Sequence, residues 1–314
     1  MDEGDYLASA AGRRQSWFGL KRHVKRFLGL RAPHAILRGV VRIAPQLRSG
    51  RLPAPASLHE VTGRVADTTF VMLHPDRCEI AKELYWGGGR RPRAEDALAL
   101  EVVSRLARDA DVLLDIGAYT GVFSLATTAV NTDLRAHAFE IVPGVARVLR
   151  ENVERNGVAD RVEIHLEGLG EPETSMLVPT GEGGSALPSF YSSRMHFEGG
   201  TRVGFRSLDS MIEPLGGAAR VVMKIDVEGT EDQVFRFGQA FIERYRPDML
   251  CEVLPSADGA LLESLLAPGA FHTYLVREQD LVRRSPLAPD ERFRDWLLTP
   301  REPDQLRALG IPVG

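Results

Sequence analysis

The stretch Val112-Leu-Leu-Asp-Ile-Gly-Ala-Tyr-Thr-Gly-Val-Phe-Ser124 constrains this chain more than any other. Val112 to Asp115 reads as a buried strand that ends on a carboxylate. Gly117 and Gly121 bracket a tight turn, and a helix starts at Val122. A strand, turn and helix of this kind form a cradle in which backbone N–H groups can approach a ligand at the helix N-terminus. Ala136-His-Ala-Phe-Glu140 is a second apolar strand ending in an acid, and Glu140 follows Asp115 by 25 residues. An acid at the tip of the second strand of a βαβ unit is placed to take both hydroxyls of a ribose. The expected class is therefore α/β with a parallel sheet. The turn is not a dinucleotide fingerprint, because Gly117 is followed by Ala118, Tyr119, Thr120 and Gly121 and the pattern G-x-G-x-x-G is absent. The competing account is a βα turn that binds nothing.

The loop resembles the S-adenosylmethionine loop of class I methyltransferases in the form D-x-G-A-x-x-G. That resemblance implies a loop wrapped around a methionine tail, with Asp115 facing its ammonium end directly or through water. The expected cofactor residues are Asp115, Gly117, Ala118, Tyr119, Gly121, Phe123, Glu140, Ile141, Glu167, Gly168 and Asp226.

Composition bounds the alternatives. A hydrophobic content of 44% and a charged content of 26% are ordinary for a globular protein. The apolar runs are too short to span a bilayer, and the N-terminus lacks the apolar core of a secretory signal. Cys78 and Cys251 are too few for a disulfide framework and read as buried thiols in a reducing compartment, so a cytoplasmic location is expected. No Cys/His cluster has zinc-ligand spacing. Charge is asymmetric: residues 6–59 hold 11 of the 39 Lys and Arg, and all 43 acids lie outside that segment. Two basic amphipathic helices are expected there, over 15–30 and 34–48, followed by the Pro-rich link Leu52–Ser57. This arm, 13–51, is either a lid packed on the body or on a second subunit of a homodimer, or a surface for anionic lipid at the inner face of the membrane or for a carrier protein. Nucleic acid is not expected, because aromatic residues are not interleaved as stacking platforms.

Three regions follow: the arm over 1–57, a hairpin and helices over 58–110, and a methyltransferase body over 111–314 with an insertion at about 171–206. In the second region Val61–Val65 and Thr69–Leu73 read as a hairpin around Ala66-Asp67, and Asp76–Leu84 and Glu95–Arg108 as helices. Pro143–Asn156 reads as a helix with Gly157 at C′, and Arg161–Leu166 as the third strand. Glu167-Gly-Leu-Gly170 then passes the same crevice, where Glu167 either reaches an adenine amine or remains a surface acid. The Gly/Ser-rich stretch 181–196 suits a substrate loop and ends on His196.

The second dense signal is Val221-Val-Met-Lys-Ile-Asp-Val-Glu-Gly-Thr-Glu231. Val221–Asp226 reads as the fourth strand, with Lys224, Asp226 and Glu228 toward one side. Thr230 with Gln233 suggests a capping box for a helix reaching Tyr245. Charges on a central strand are costly unless they are paired or functional. Either a Lys224–acid ion pair or a reaction centre explains them. Asp248–Leu254 is the fifth strand and brings Glu252, Phe271–Arg277 is the sixth, and Phe293–Thr299 is expected as a last, edge strand.

Together these pieces resemble the FkbM-type family of S-adenosylmethionine-dependent methyltransferases. The matching residues are Leu114–Gly121, Ala138–Pro143, Ser207-Leu-Asp209, Lys224–Glu231, Arg246-Pro-Asp248 with Glu252, and Trp296–Pro300. The resemblance covers about residues 70–300 and leaves the arm unmatched. It implies a Rossmann-like, seven-stranded, mostly parallel sheet with an antiparallel last strand. It also implies methyl transfer, often to hydroxyl oxygen on sugars, glycolipids or polyketides of secondary metabolism, sometimes to nitrogen of an amide or amine. The family usually has Asn where this chain has Tyr119, and an aromatic–acid pair near Gly89-Arg-Arg-Pro-Arg93. A hydroxyl acceptor needs a base, for which Asp226, Glu228, Glu252 and His196 are candidates, with Lys224 beside them. The three acids could also hold Mg²⁺. A nicotinamide-dependent oxidoreductase would need a third glycine and a hydride-site Tyr/Lys pair, and neither is found. A non-catalytic scaffold would leave the charged strand end without a purpose.

Overall fold

The computed structural model describes residues 52–55, 57–178, 200–217, 220–267 and 270–314. The two basic helices of the arm, the stretch 181–196 and His196 lie outside the described residues.

Strands β1 (Glu60–Val65) and β2 (Thr68–Leu73) form a hairpin whose turn residue Ala66 has positive φ. Helices α1 (Glu79–Trp86) and α2 (Ala94–Leu106) follow. The Cys78 side chain caps α1 by accepting from the Ala81 N–H. The body then alternates β3 (Val112–Ile116), α3 (Val122–Val130), β4 (Arg135–Phe139), α4 (Pro143–Arg155) and β5 (Val162–His165). Pro143 opens α4, where its missing N–H costs nothing, and Gly157 follows its C-cap Asn156 as expected. A small three-stranded sheet is built from β6 (Gly168–Leu169), which precedes the insertion, with β7 (Ser175–Val178) and β8 (Thr201–Arg206), in the order β6-β8-β7. A short α5 (Ile212–Leu215) leads to β9 (Val221–Ile225), α6 (Glu231–Arg236), α7 (Gln239–Tyr245) and β10 (Asp248–Glu252). The chain closes with α8 (Gly259–Leu266), β11 (His272–Val276), β12 (Leu281–Arg283), β13 (Asp295–Thr299) and α9 (Pro303–Ala308).

The main sheet has the order β12-β11-β13-β10-β9-β3-β4-β5. Strands β10, β9, β3, β4 and β5 pair in parallel, and β13 runs antiparallel to both β10 and β11. This is the Rossmann-like class I methyltransferase sheet. One short antiparallel strand, β12, is added beside β11. Strand order reverses between β3 and β9, so the switch-point crevice opens at the ends of these two strands.

Three expectations need correction. β13 is not an edge strand but is inserted between β10 and β11, and Trp296, Leu297, Leu298 and Thr299 are buried. Neighbours on both sides allow successive residues to bury on both faces. The helix expected through Tyr245 breaks into α6 and α7 at Phe237–Gly238, where Gly238 lies against Leu208. Thr230 makes no side-chain cap. Glu231 instead reaches back to tie the turn before the helix, its Oε1 accepting from the N–H groups of Gly229 and Val227.

The sheet is covered on both faces. Leu113 and Val222 pack with Phe70, Met72, Leu84, Leu100, Leu125 and Leu149, so the hairpin and helices over 58–110 share a core with the body. Leu114 and Met223 pack on the opposite side with Phe235, Phe241, Met249 and Trp296. The Pro-rich link is docked as well: Ala54 is buried and the Trp86 indole N–H donates to the Leu52 carbonyl. Among the described residues, no helix is long and apolar enough to cross a membrane.

Candidate active site

The ends of β3 and β9 meet closely. Ile116 lies opposite Ile225, and the Asp226 N–H donates to the Ile116 carbonyl at 3.0 Å. Gly117 has φ 75, and a Cβ there would lie 1.9 Å from the Asp226 carbonyl oxygen. This glycine is required where two strand ends cross, a reason the loop motif alone did not give. Gly121 has φ 89 at the N-cap of α3, and a Cβ on it would meet Leu149 at 2.4 Å. Gly121 therefore serves helix packing and lies behind the cavity wall.

Asp115 lies opposite Lys224 in the β3–β9 register and is fully buried. Its Oδ2 accepts from both the N–H and the hydroxyl of Ser124, at 3.1 and 2.7 Å. Its Oδ1 is 4.0 Å from the Lys224 ammonium. That ammonium donates to the Gly117 carbonyl at 2.5 Å and sits 3.5 Å from Asp226. Asp115 is thus held by the protein's own cation and does not line the cavity. Burial pushes the Asp115 carboxyl up while Lys224 and Ser124 pull it down. Burial alone would depress the Lys224 ammonium, but Asp226 and Asp115 beside it raise its pKa.

Above this floor is a cavity of about 400 Å³, a size suited to a small ligand. Gly117, Ala118, Tyr119, Phe123, Glu140, Ile141, Glu167, Gly168, Lys224, Asp226 and Glu228 all line it, as the sequence suggests. Sequence reasoning missed the flat apolar walls, Ile116, Phe139 and Phe205. Tyr119 adopts φ 51, and its N–H donates to Glu140 Oε2 at 2.9 Å. Asn enters this left-handed region more readily than other non-glycine residues, which gives a physical reason for the family's usual residue here. Glu140 Oε1 accepts from the Val142 N–H at 2.8 Å. Burial pushes the Glu140 carboxyl up to about 7, against these two hydrogen bonds. Glu167 is paired with Arg206 at 3.0 Å.

A smaller recess shares Arg91, Arg93, Asp96, Phe123, Lys224 and Asp226 with the cavity and adds Glu252 and Asp295. Glu252 and Asp295 face each other across the β10–β13 ladder. Burial first, then Asp226 and Asp295, hold the Glu252 carboxyl well above the usual range. Burial and Asp226 push Asp295 up to about 7. Arg91 is paired with Glu83 at 2.7 Å and with Asp96 at 3.0 Å. Asp295 was legible only as an acid opening an apolar run; its partner is distant in sequence. Glu228 takes φ 55 and stands exposed at the rim, its carboxyl raised by partial burial and by Asp226 and Glu231. Glu228 at the rim and Glu252 in the recess diverge, so Asp226, Glu228 and Glu252 do not bring three oxygens within 4.8 Å of one another. The three acids that the sequence offers as a possible Mg²⁺ set thus do not converge among the described residues.

A family model described as the methyltransferase FkbM domain matches residues 115–275. Ribosomal protein L11 methyltransferases are similar over shorter stretches. The Bacillus velezensis protein is 25% identical over 103 residues, 32% of each chain, and that of Yersinia pseudotuberculosis 31% identical over 96 residues, 31% of this chain and 29% of the other. The chain thus matches about a third of these relatives' length. Among solved structures, a methyltransferase FkbM from Methylobacillus flagellatus has a TM-score of 0.41 at 16% identity, covering 61% of this chain and 44% of the other. Aeropyrum pernix fibrillarin, solved with natively bound S-adenosyl-L-methionine, has a TM-score of 0.39 at 13% identity, covering 66% and 76%.

Proposed function

The chain belongs to the FkbM methyltransferase family, and from that premise we propose that it transfers a methyl group from S-adenosylmethionine to a hydroxyl oxygen of a small or carrier-bound molecule, such as a sugar, glycolipid or polyketide-type product. The cavity residues fit the cofactor. Each Glu140 oxygen accepts one backbone N–H and keeps a lone pair for a ribose hydroxyl. The apolar faces of Ile116, Phe139 and Phe205 suit a purine. When bound, the cofactor supplies a methyl already activated by its sulfonium.

The observation that carries the reading is Asp226, which lines both the cofactor cavity and the adjoining recess. Asp96 borders both as well but is bonded to Arg91 at 3.0 Å, which leaves Asp226, at the strand end, as the acid available to both ligands at once. Lys224, 3.5 Å away, steadies its carboxylate, which accepts the proton of the acceptor hydroxyl as general base. Glu252, its carboxyl held up by burial and by Asp226 and Asp295, keeps its proton near neutral pH and does not act as a second base. Holding acceptor and cofactor together contributes the rest. No Mg²⁺ is invoked, because the three acids diverge. The basic arm serves to bring the protein to an anionic surface or carrier. Asp226→Asn, assayed with labelled cofactor and a panel of hydroxylated acceptors, is expected to lower turnover at least ~100-fold with little change in cofactor affinity. Near-normal turnover would remove Asp226 as the base, and a product methylated on nitrogen would replace the hydroxyl acceptor with an amine or amide.

A further inference from the structure

Away from the cofactor floor, three metal-ligating side chains meet on one face of the sheet edge formed by β4 and β5. His137 lies opposite Glu163, and Phe139 opposite His165, in the parallel register. With a side-chain period of two, all four project to the same side. His137 Nδ1 is 3.1 Å from His165 Nε2. The Glu163 carboxylate lies 3.4 Å from the first nitrogen and 3.7 Å from the second. Among the described residues, this is the group of three or more His, Cys, Asp or Glu whose ligand atoms all fall within 4.8 Å.

The spacing suits an ion. Zn²⁺ binds imidazole nitrogen at about 2.0–2.1 Å, which in a tetrahedron separates two nitrogens by about 3.3–3.4 Å. The pair needs to open by only ~0.3 Å to reach it. The imidazole side chains are 13% and 12% exposed, so both rings are largely shielded from solvent. His165 Nδ1, on the far side of its ring, lies 3.5 Å from Glu167. Arg206 also stands 3.4 Å from that nitrogen, and its charge is met by Glu167 at 3.0 Å.

We propose that His137, Glu163 and His165 bind Zn²⁺, with a fourth position open to water. Two imidazoles and one carboxylate select a borderline ion over Mg²⁺ or Ca²⁺. The ion fastens edge strand β5 to β4 beside the cavity wall, where the His165 ring stacks on Phe139 at 4.5 Å. The site stands independently of the methyl-transfer reading.

The full chain, stripped with EDTA and free of any affinity tag, is titrated with Co²⁺ and then Zn²⁺. One Co²⁺ per chain should bind with the intense visible bands of a four-coordinate ion. Zn²⁺ should displace it stoichiometrically, and excess Mg²⁺ should not. The double variant His137→Gln/His165→Gln should lose the bands. Glu163→Gln, whose side chain is 66% exposed and whose loss the fold can bear, should weaken Zn²⁺ binding by about 10-fold or more. If the double variant fails to fold, Glu163→Gln decides alone. A wild-type protein without the bands, or bands and affinity unchanged in Glu163→Gln, overturns the proposal.

Discussion

Replacing Gly117 with Ala separates two reasons for a glycine at the switch point. The Gly117 N–H donates to the Phe139 carbonyl at 3.0 Å, and its own carbonyl accepts from Lys224 at 2.5 Å, so the residue is tied on both sides. Its φ of 75 costs an alanine about 1–2 kcal/mol. The added Cβ would stand 1.9 Å from the Asp226 carbonyl oxygen and 2.9 Å from its carbon. Asp226 cannot swing aside freely, because its N–H is bonded to Ile116 at 3.0 Å. The end of β9 must therefore move, at the ~1–3 kcal/mol typical of overpacking. The expected loss is about 2–5 kcal/mol in the protein without ligand. Urea unfolding followed by circular dichroism should show a lower midpoint at an unchanged slope. Calorimetry with S-adenosylhomocysteine should show weaker binding, since Asp226 shifts with the strand end. A variant that keeps its stability within ~0.5 kcal/mol, the usual scatter of surface substitutions, and loses only cofactor affinity would refute the crossing argument. The glycine would then serve ligand approach.

The carboxyl of Glu140, raised by burial to about 7 from an ordinary 4.5, holds a proton in the folded protein that the unfolded chain has released across that window. Charge-assisted hydrogen bonds from both ribose hydroxyls need the ionised form, so S-adenosylhomocysteine affinity should rise with pH up to about 7, level off above it, and become flat in Glu140→Gln; a flat wild-type profile removes Glu140 from the ribose. Glu228→Gly should raise stability by about 0.5–1 kcal/mol by relieving a left-handed φ, while turnover falls if the rim carboxylate seats the acceptor. Unchanged thermal stability in a melting curve would mean that the turn relaxes around Glu228. A chain beginning at Leu52 should fold and bind cofactor, whereas one beginning at Ser57 should melt lower for want of Ala54 and the Leu52 carbonyl bonded to Trp86. Equal melting of the two would show that the link contributes no stability.

The local pieces of this protein were legible in its sequence because their signals are local. A strand ending on Asp115, a left-handed turn and a helix occupy 13 consecutive residues, and Glu140 ends the next strand. Binary pattern and turn chemistry were enough for the parallel core, and the resemblance to S-adenosylmethionine loops implied most of the cavity lining. Tertiary structure decided what depends on neighbours far apart in the chain. Asp115 lies 4.0 Å from the ammonium of Lys224, 109 positions later, because β3 and β9 are adjacent in the sheet. Trp296 to Thr299 were expected at an edge, and their apolar run could not reveal that two strands would flank them. Glu252 and Asp295 form a raised pair only because β13 runs antiparallel beside β10, and His137 meets His165 only across the β4–β5 ladder. A sequence pattern fixes which face a side chain takes, since that follows from the backbone period. Which side chain it meets there depends on strand order and register, set by the packing of the whole sheet.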